Sequence, residues 1–132
     1  LELSNKDLYQ IASQLSVFSR AMNYINEAYY SAALTIKFLS GDDGTLNFKA
    51  DSFYKAFKDV FERELKAQRF IKYPESFSLP IMKSSFKYFS NEGYLQFDEG
   101  SYSIKNTKKF VDLITRLESQ LSESVTFNLG NT

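Results

Sequence analysis

The sequence contains no histidine, no cysteine and no tryptophan. Without histidine there is no Ser-His or Cys-His relay and no imidazole to ligate a metal. Without cysteine there is no disulfide framework, no thiolate nucleophile and no thiolate zinc site. An excess of charge of one sign is missing too, because 16 Lys+Arg balance 16 Asp+Glu. Affinity for nucleic acid rests on neutralising phosphates, so a neutral chain has no electrostatic reason to bind a duplex. Long apolar runs are also absent. The most apolar uncharged stretch, Ala28 to Ile36, lies between Glu27 and Lys37. A membrane-spanning helix needs about 20 such residues. No basic segment leads into an apolar run at Leu1, so no signal peptide is expected there. Membrane association, if any, is expected to be indirect. The absence of cysteine suits the cytoplasm, and an intracellular location is expected.

What is present is aromatic. Thirteen Phe and nine Tyr stand in 132 residues, enough to build the core of one domain. Because the chain begins at Leu1 and not Met, it is expected to be part of a longer one.

Five glycines and two prolines divide the chain into about five helices and one hairpin, a mostly α fold. Ser4 and Asp7 make an S-x-x-D start, and Leu8, Ile11, Leu15 and Phe18 follow at helical spacing. A second helix is expected from about Asn23 to Ser40. Ile25, Tyr29, Ala32, Ile36 and Leu39 step along one of its faces, while Tyr24, Tyr30, Leu34 and Phe38 make other faces apolar. Such a helix is deeply buried or shared with another surface. Gly41 suits the position just after its end. A third helix is expected over about 51–69 with Phe53, Phe57, Val60, Phe61 and Leu65 inward. Pro74 interrupts the connector 70–77. Ser78 caps a fourth helix, with Ile81, Met82, Ser85, Phe86 and Phe89 as its inner stripe. Residues 94–97 and 101–104 alternate as a hairpin does. A last helix is expected over about 107–122, followed by a loose tail over 123–132 whose alternating Val125, Phe127 and Leu129 offer a further strand.

Little chemistry stands out. Asp42 and Asp43 are adjacent and no closing Glu follows, so they make a turn and not a calcium loop. Asp59, Glu62 and Glu64 are interleaved with Lys58, Arg63 and Lys66, the pattern of a solvated, salt-bridged face. Lys108, Lys109 and Arg116 are diluted by Asp112 and Glu118. Arg69 and Lys72, flanked by Phe70 and Tyr73, form a small basic-aromatic patch. The succession helix, connector, helix, hairpin and helix after residue 51 resembles a winged helix. Lys83, Lys87 and Lys105 are matched there by Glu92, Asp98 and Glu99, so protein contact or a plain structural role is the expected use. No catalytic residue, cofactor site or metal site is expected in this chain. Its interface candidates are Tyr29, Tyr30, Phe38, Arg69 and Lys72.

Several segments carry a family resemblance. They are Asn26-Glu27-Ala28-Tyr29-Tyr30, then Phe48 with Phe53-Tyr54-Lys55-Ala56-Phe57, then Lys72-Tyr73-Pro74-Glu75-Ser76-Phe77-Ser78, then Phe86 to Leu95 ending in Gly93-Tyr94-Leu95. In type and order they resemble the C-terminal domain of the glycerol-3-phosphate and dihydroxyacetone-phosphate acyltransferases. Lys83-Ser84-Ser85 departs from the Lys-Asn-Ala that the family often shows. The resemblance implies a non-catalytic accessory domain of a membrane-associated enzyme of glycerolipid and phospholipid biosynthesis. The family's H-x-x-x-x-D motif would lie upstream, and the catalytic part of the same chain would be the partner. The alternative is a stand-alone helical interaction module that binds another protein.

Overall fold

The computed structural model describes residues 4–130. They are mostly helical, with one two-stranded hairpin. The first helix, α1, spans Asn5–Leu39 and is 35 residues long. Ser4 caps it, its hydroxyl accepting from the Asp7 N–H at 3.1 Å while the Asp7 carboxylate accepts from the Ser4 N–H. The two helices expected before residue 40 are therefore one. Nothing between Phe18 and Asn23 breaks a helix, and propagation is easy once a helix is nucleated. The helix stops where Gly41 takes φ +80°. That positive φ is what calls for glycine, since a Cβ there would meet only the movable end of the exposed Leu46 side chain.

Helix α2 spans Ala50–Ala67 and buries Phe53, Phe57, Val60 and Phe61. Pro74–Ser76 make one 3-10 turn. Helix α3 spans Leu79–Asn91 and is capped by the Ser78 hydroxyl, which accepts from Ile81 N–H. Strands β1 (Leu95–Asp98) and β2 (Ser101–Ile104) pair antiparallel with Leu95 opposite Ile104 and Phe97 opposite Tyr102. At the turn Glu99 and Gly100 both have positive φ, the geometry a two-residue hairpin prefers. Phe48 forms an antiparallel bridge with Tyr102, each N–H donating to the other's carbonyl. The order helix, bridge strand, helix, helix, hairpin is winged-helix-like, with Phe48 on the far edge of β2.

The last helix, α4, spans Thr107–Gly130. The tail expected to be loose is thus helical backbone as far as 130, and residues 131–132 lie outside the described residues. Val125, Phe127 and Leu129 fall within this helix and add no strand to the hairpin.

One core joins all these elements. Phe53 and Phe86 lie 4.7 Å apart between ring centroids, and Phe86 meets Tyr102 edge-on at 4.8 Å. Phe89 packs on Phe110, and Phe57 stacks parallel on Phe61. The C-terminal half of α1 runs through this core, where Ala28, Ala32, Ala33 and Ile36 are buried. Small residues let its neighbours approach closely, and α2, α3 and α4 all pack against it. Its N-terminal half is different. Leu8, Ile11, Leu15 and Phe18, the residues at helical spacing, stay exposed.

Candidate functional site

The chemistry of this chain is gathered where α1 meets the connector before α3. Glu27 lies on the buried side of α1 and is only 2% exposed. Its Oε1 accepts from the N–H of Lys72 at 3.2 Å, the N–H of Tyr73 at 3.1 Å and the hydroxyl of Ser76 at 2.7 Å. Burial pushes this carboxyl up from its usual range, while the three donors pull it down. The connector has no long element of its own, so its backbone donors need partners from elsewhere. Glu27 supplies one acceptor for two of them and for the Ser76 hydroxyl. Tyr73 also meets the Tyr24 ring edge-on at 5.5 Å, and Ile71 is fully buried beside this contact in sequence.

A second polar group lies on the neighbouring turns. The hydroxyl of Tyr30 donates to Glu118 Oε2 at 2.9 Å, tying α1 to α4. Desolvation and the Glu118 carboxylate both hold the Tyr30 hydroxyl well above the ordinary tyrosine range. Arg69 Nη2 lies 3.2 Å from Glu64 Oε2. Glu64 was expected on a solvated face with Asp59 and Glu62. Those two are exposed, but Glu64 is buried. It falls one helical turn after Val60 and Phe61, on the face α2 turns inward, and Arg69 compensates its charge.

The five interface candidates separate on this geometry. Tyr30 is 3% exposed and offers no surface to a partner. It is instead an internal tie, its ring against Phe70 at 5.3 Å. The sequence showed only an apolar face there, and nothing in it revealed Glu118 as the hydroxyl's acceptor. Tyr29 is half-buried against Tyr88 and Phe89. Phe38 is 62% exposed. Arg69 is exposed but bound to Glu64, and the Lys72 ammonium donates to the carbonyl of Gln68. The basic-aromatic patch is thus knitted into the fold: both cations have protein acceptors, and Phe70 and Tyr73 face Tyr30 and Tyr24. Arg116 and Lys109 are similarly engaged, with Arg116 donating to the Tyr94 hydroxyl at 3.2 Å and Lys109 lying over its ring.

Sequence reasoning did not single out Glu27 or Ser76. The signal was present, since a lone carboxylate bordered the most apolar stretch of the chain. Asp43 is a turn residue as expected. Its carboxylate accepts from the N–H and hydroxyl of Thr45, which hold it below the usual range. Among the described residues no three metal-ligating side chains converge, and no helix is long and apolar enough to cross a membrane. No family model, curated protein or solved structure matches this chain.

Proposed function

We propose that this chain is a non-catalytic accessory C-terminal domain of a glycerolipid acyltransferase. The parent enzyme would move a fatty acyl group from acyl-CoA to glycerol-3-phosphate or dihydroxyacetone phosphate, at a cytoplasmic membrane surface. One observation supports the reading beyond the resemblance itself. The Asn26–Tyr30 segment and the Lys72–Ser78 segment carry that resemblance, and Glu27 of the first holds the second through two backbone hydrogen bonds and one from the Ser76 hydroxyl. The two segments are 45 to 49 residues apart at these bonds. The two segments on which the reading rests thus lie against each other in the fold, as parts of one accessory domain would.

In this role the chain does no chemistry. It has no histidine, so the general base of the family's H-x-x-x-x-D motif would come from the upstream catalytic part. The accessory domain braces that part, with Phe38 and the exposed portion of Tyr29 as contact residues. The test is acyl transfer from acyl-CoA to either acceptor by the native polypeptide, with residues 1–132 retained or deleted. Activity that falls on deletion supports the reading. A native polypeptide with no acyl transfer at all overturns it.

A second reading has its own support. The hydrophobic core draws on every helix and both strands, and none of the described buried side-chain polar atoms lacks a hydrogen bond. A self-sufficient core of this kind suits a stand-alone winged-helix-like module that binds another protein.

A further inference from the structure

Helix α1 carries an unbroken seam at alternating steps of three and four. Its positions are Leu8, Ile11, Leu15, Phe18, Met22, Ile25, Tyr29, Ala32, Ile36 and Leu39. A seam of this period is what a helix presents to a partner helix in knobs-into-holes packing. The last four positions are buried or half-buried in the chain's own core. The first six are between 36 and 64% exposed. One continuous seam is thus filled along its second half and bare along its first.

We infer that the bare half pairs with the same half of a second copy, as an antiparallel two-helix contact. Three observations favour a second copy. The first is charge. Between Asn5 and Asn26 the only ionisable acids and bases besides tyrosine are Lys6, Asp7 and Arg20, so two copies meet without like-charge repulsion. The second is area. At about 150–200 Å² for a whole large side chain, the six expose roughly 500 Å² per copy. A pair then buries up to about 1,000 Å², the lower bound for a specific and weak interface. The third is self-complementarity. Antiparallel alignment sets Leu8 against Ile25, Ile11 against Met22 and Leu15 against Phe18 of the other copy. Every seam residue then meets another seam residue under a two-fold axis. Beyond Ile25 the seam is taken by the chain's own elements, so the bodies must lie at opposite ends of the contact, which antiparallel pairing provides. The inference goes beyond the accessory-domain reading and does not depend on it.

The experiment measures mass in solution by sedimentation, from about 1 to 100 μM, around the dissociation constant of order 10 μM expected for so small a contact. The 132-residue chain should reach twice its 15.3 kDa. The double variant L15E/F18E should remain at the monomer mass with an unchanged circular-dichroism spectrum, because those side chains support nothing in the body. R20E, off the seam, should dimerise like the original. Orientation is read separately in this cysteine-free background. An equimolar mixture of L15C and F18C chains should form the mixed disulfide on oxidation, and neither alone should crosslink efficiently. A monomer at 100 μM overturns the inference and leaves the seam to another polypeptide, such as an upstream part of the parent. A dimer that survives L15E/F18E, or crosslinking of each variant with itself, overturns it as well.

Discussion

At the scale of single residues, Glu27 bears most on the arrangement. Three donors converge on one buried oxygen. Removing the acceptor leaves the buried Ser76 hydroxyl and two half-buried N–H groups without that partner, at about 1–3 kcal/mol for each group fully lost. Glu27→Ala is therefore expected to lower stability by about 3 kcal/mol or more in urea unfolding, and Glu27→Gln, which keeps an acceptor oxygen, by clearly less. The pH dependence has a definite sign. Burial holds the folded carboxyl above its ordinary value near 4.5, so between the two values the folded chain binds the proton more tightly than the unfolded chain. The stability this group contributes is fully present below pH 4.5. It is lost as the pH rises through the folded value. Between pH 7 and about 4.5 the original chain should thus gain stability relative to Glu27→Gln. A relative loss on acidification would mean that the hydrogen bonds outweigh burial. Glu27 was legible in the sequence as an oddity, a carboxylate bordering the most apolar stretch. Its partners were not, because backbone donors leave no mark in residue types.

Individual elements were legible where local chemistry decides them. Ser4, Ser78, Gly41 and Gly93 act at helix ends on short-range geometry alone, and the hairpin followed from alternation. The first two expected helices are one, because residues 19–22 hold no helix breaker between the two periodic stretches. The N-terminal stripe of α1 stays exposed. The last helix was cut short because the residues after 122 have no strong helical stripe, while the backbone continues regardless. Turn chemistry yields two predictions in thermal or urea unfolding. Gly41→Ala and Gly100→Ala both place a side chain at positive φ, the first against only the movable end of Leu46 and the second in open space. Each is expected to destabilise by about 1 kcal/mol. Glu99 holds φ +51°, which asparagine tolerates better, so Glu99→Asn is expected to stabilise by about 0.5 kcal/mol.

At the scale of the molecule, the aromatic content led to the right core, since Phe53, Phe57, Phe86, Phe89 and Phe110 all lie in it. Phe57 is fully buried among Phe53, Phe61 and Phe77. Phe57→Leu is expected to cost about 1–2 kcal/mol, and Phe57→Ala about 3–5 kcal/mol. One shared core means that one cooperative transition should report both. The candidate surface was legible only in part. Tyr30 and Phe38 are both apolar in type, yet one lies inside and the other outside, because α4 folds back onto only one side of α1. The accessory-domain reading requires a catalytic part that this histidine-free chain does not contain. The most direct measurement is therefore the native coding sequence upstream of Leu1. The account predicts a long open frame encoding an H-x-x-x-x-D motif. A frame that starts at or just before Leu1 would contradict it.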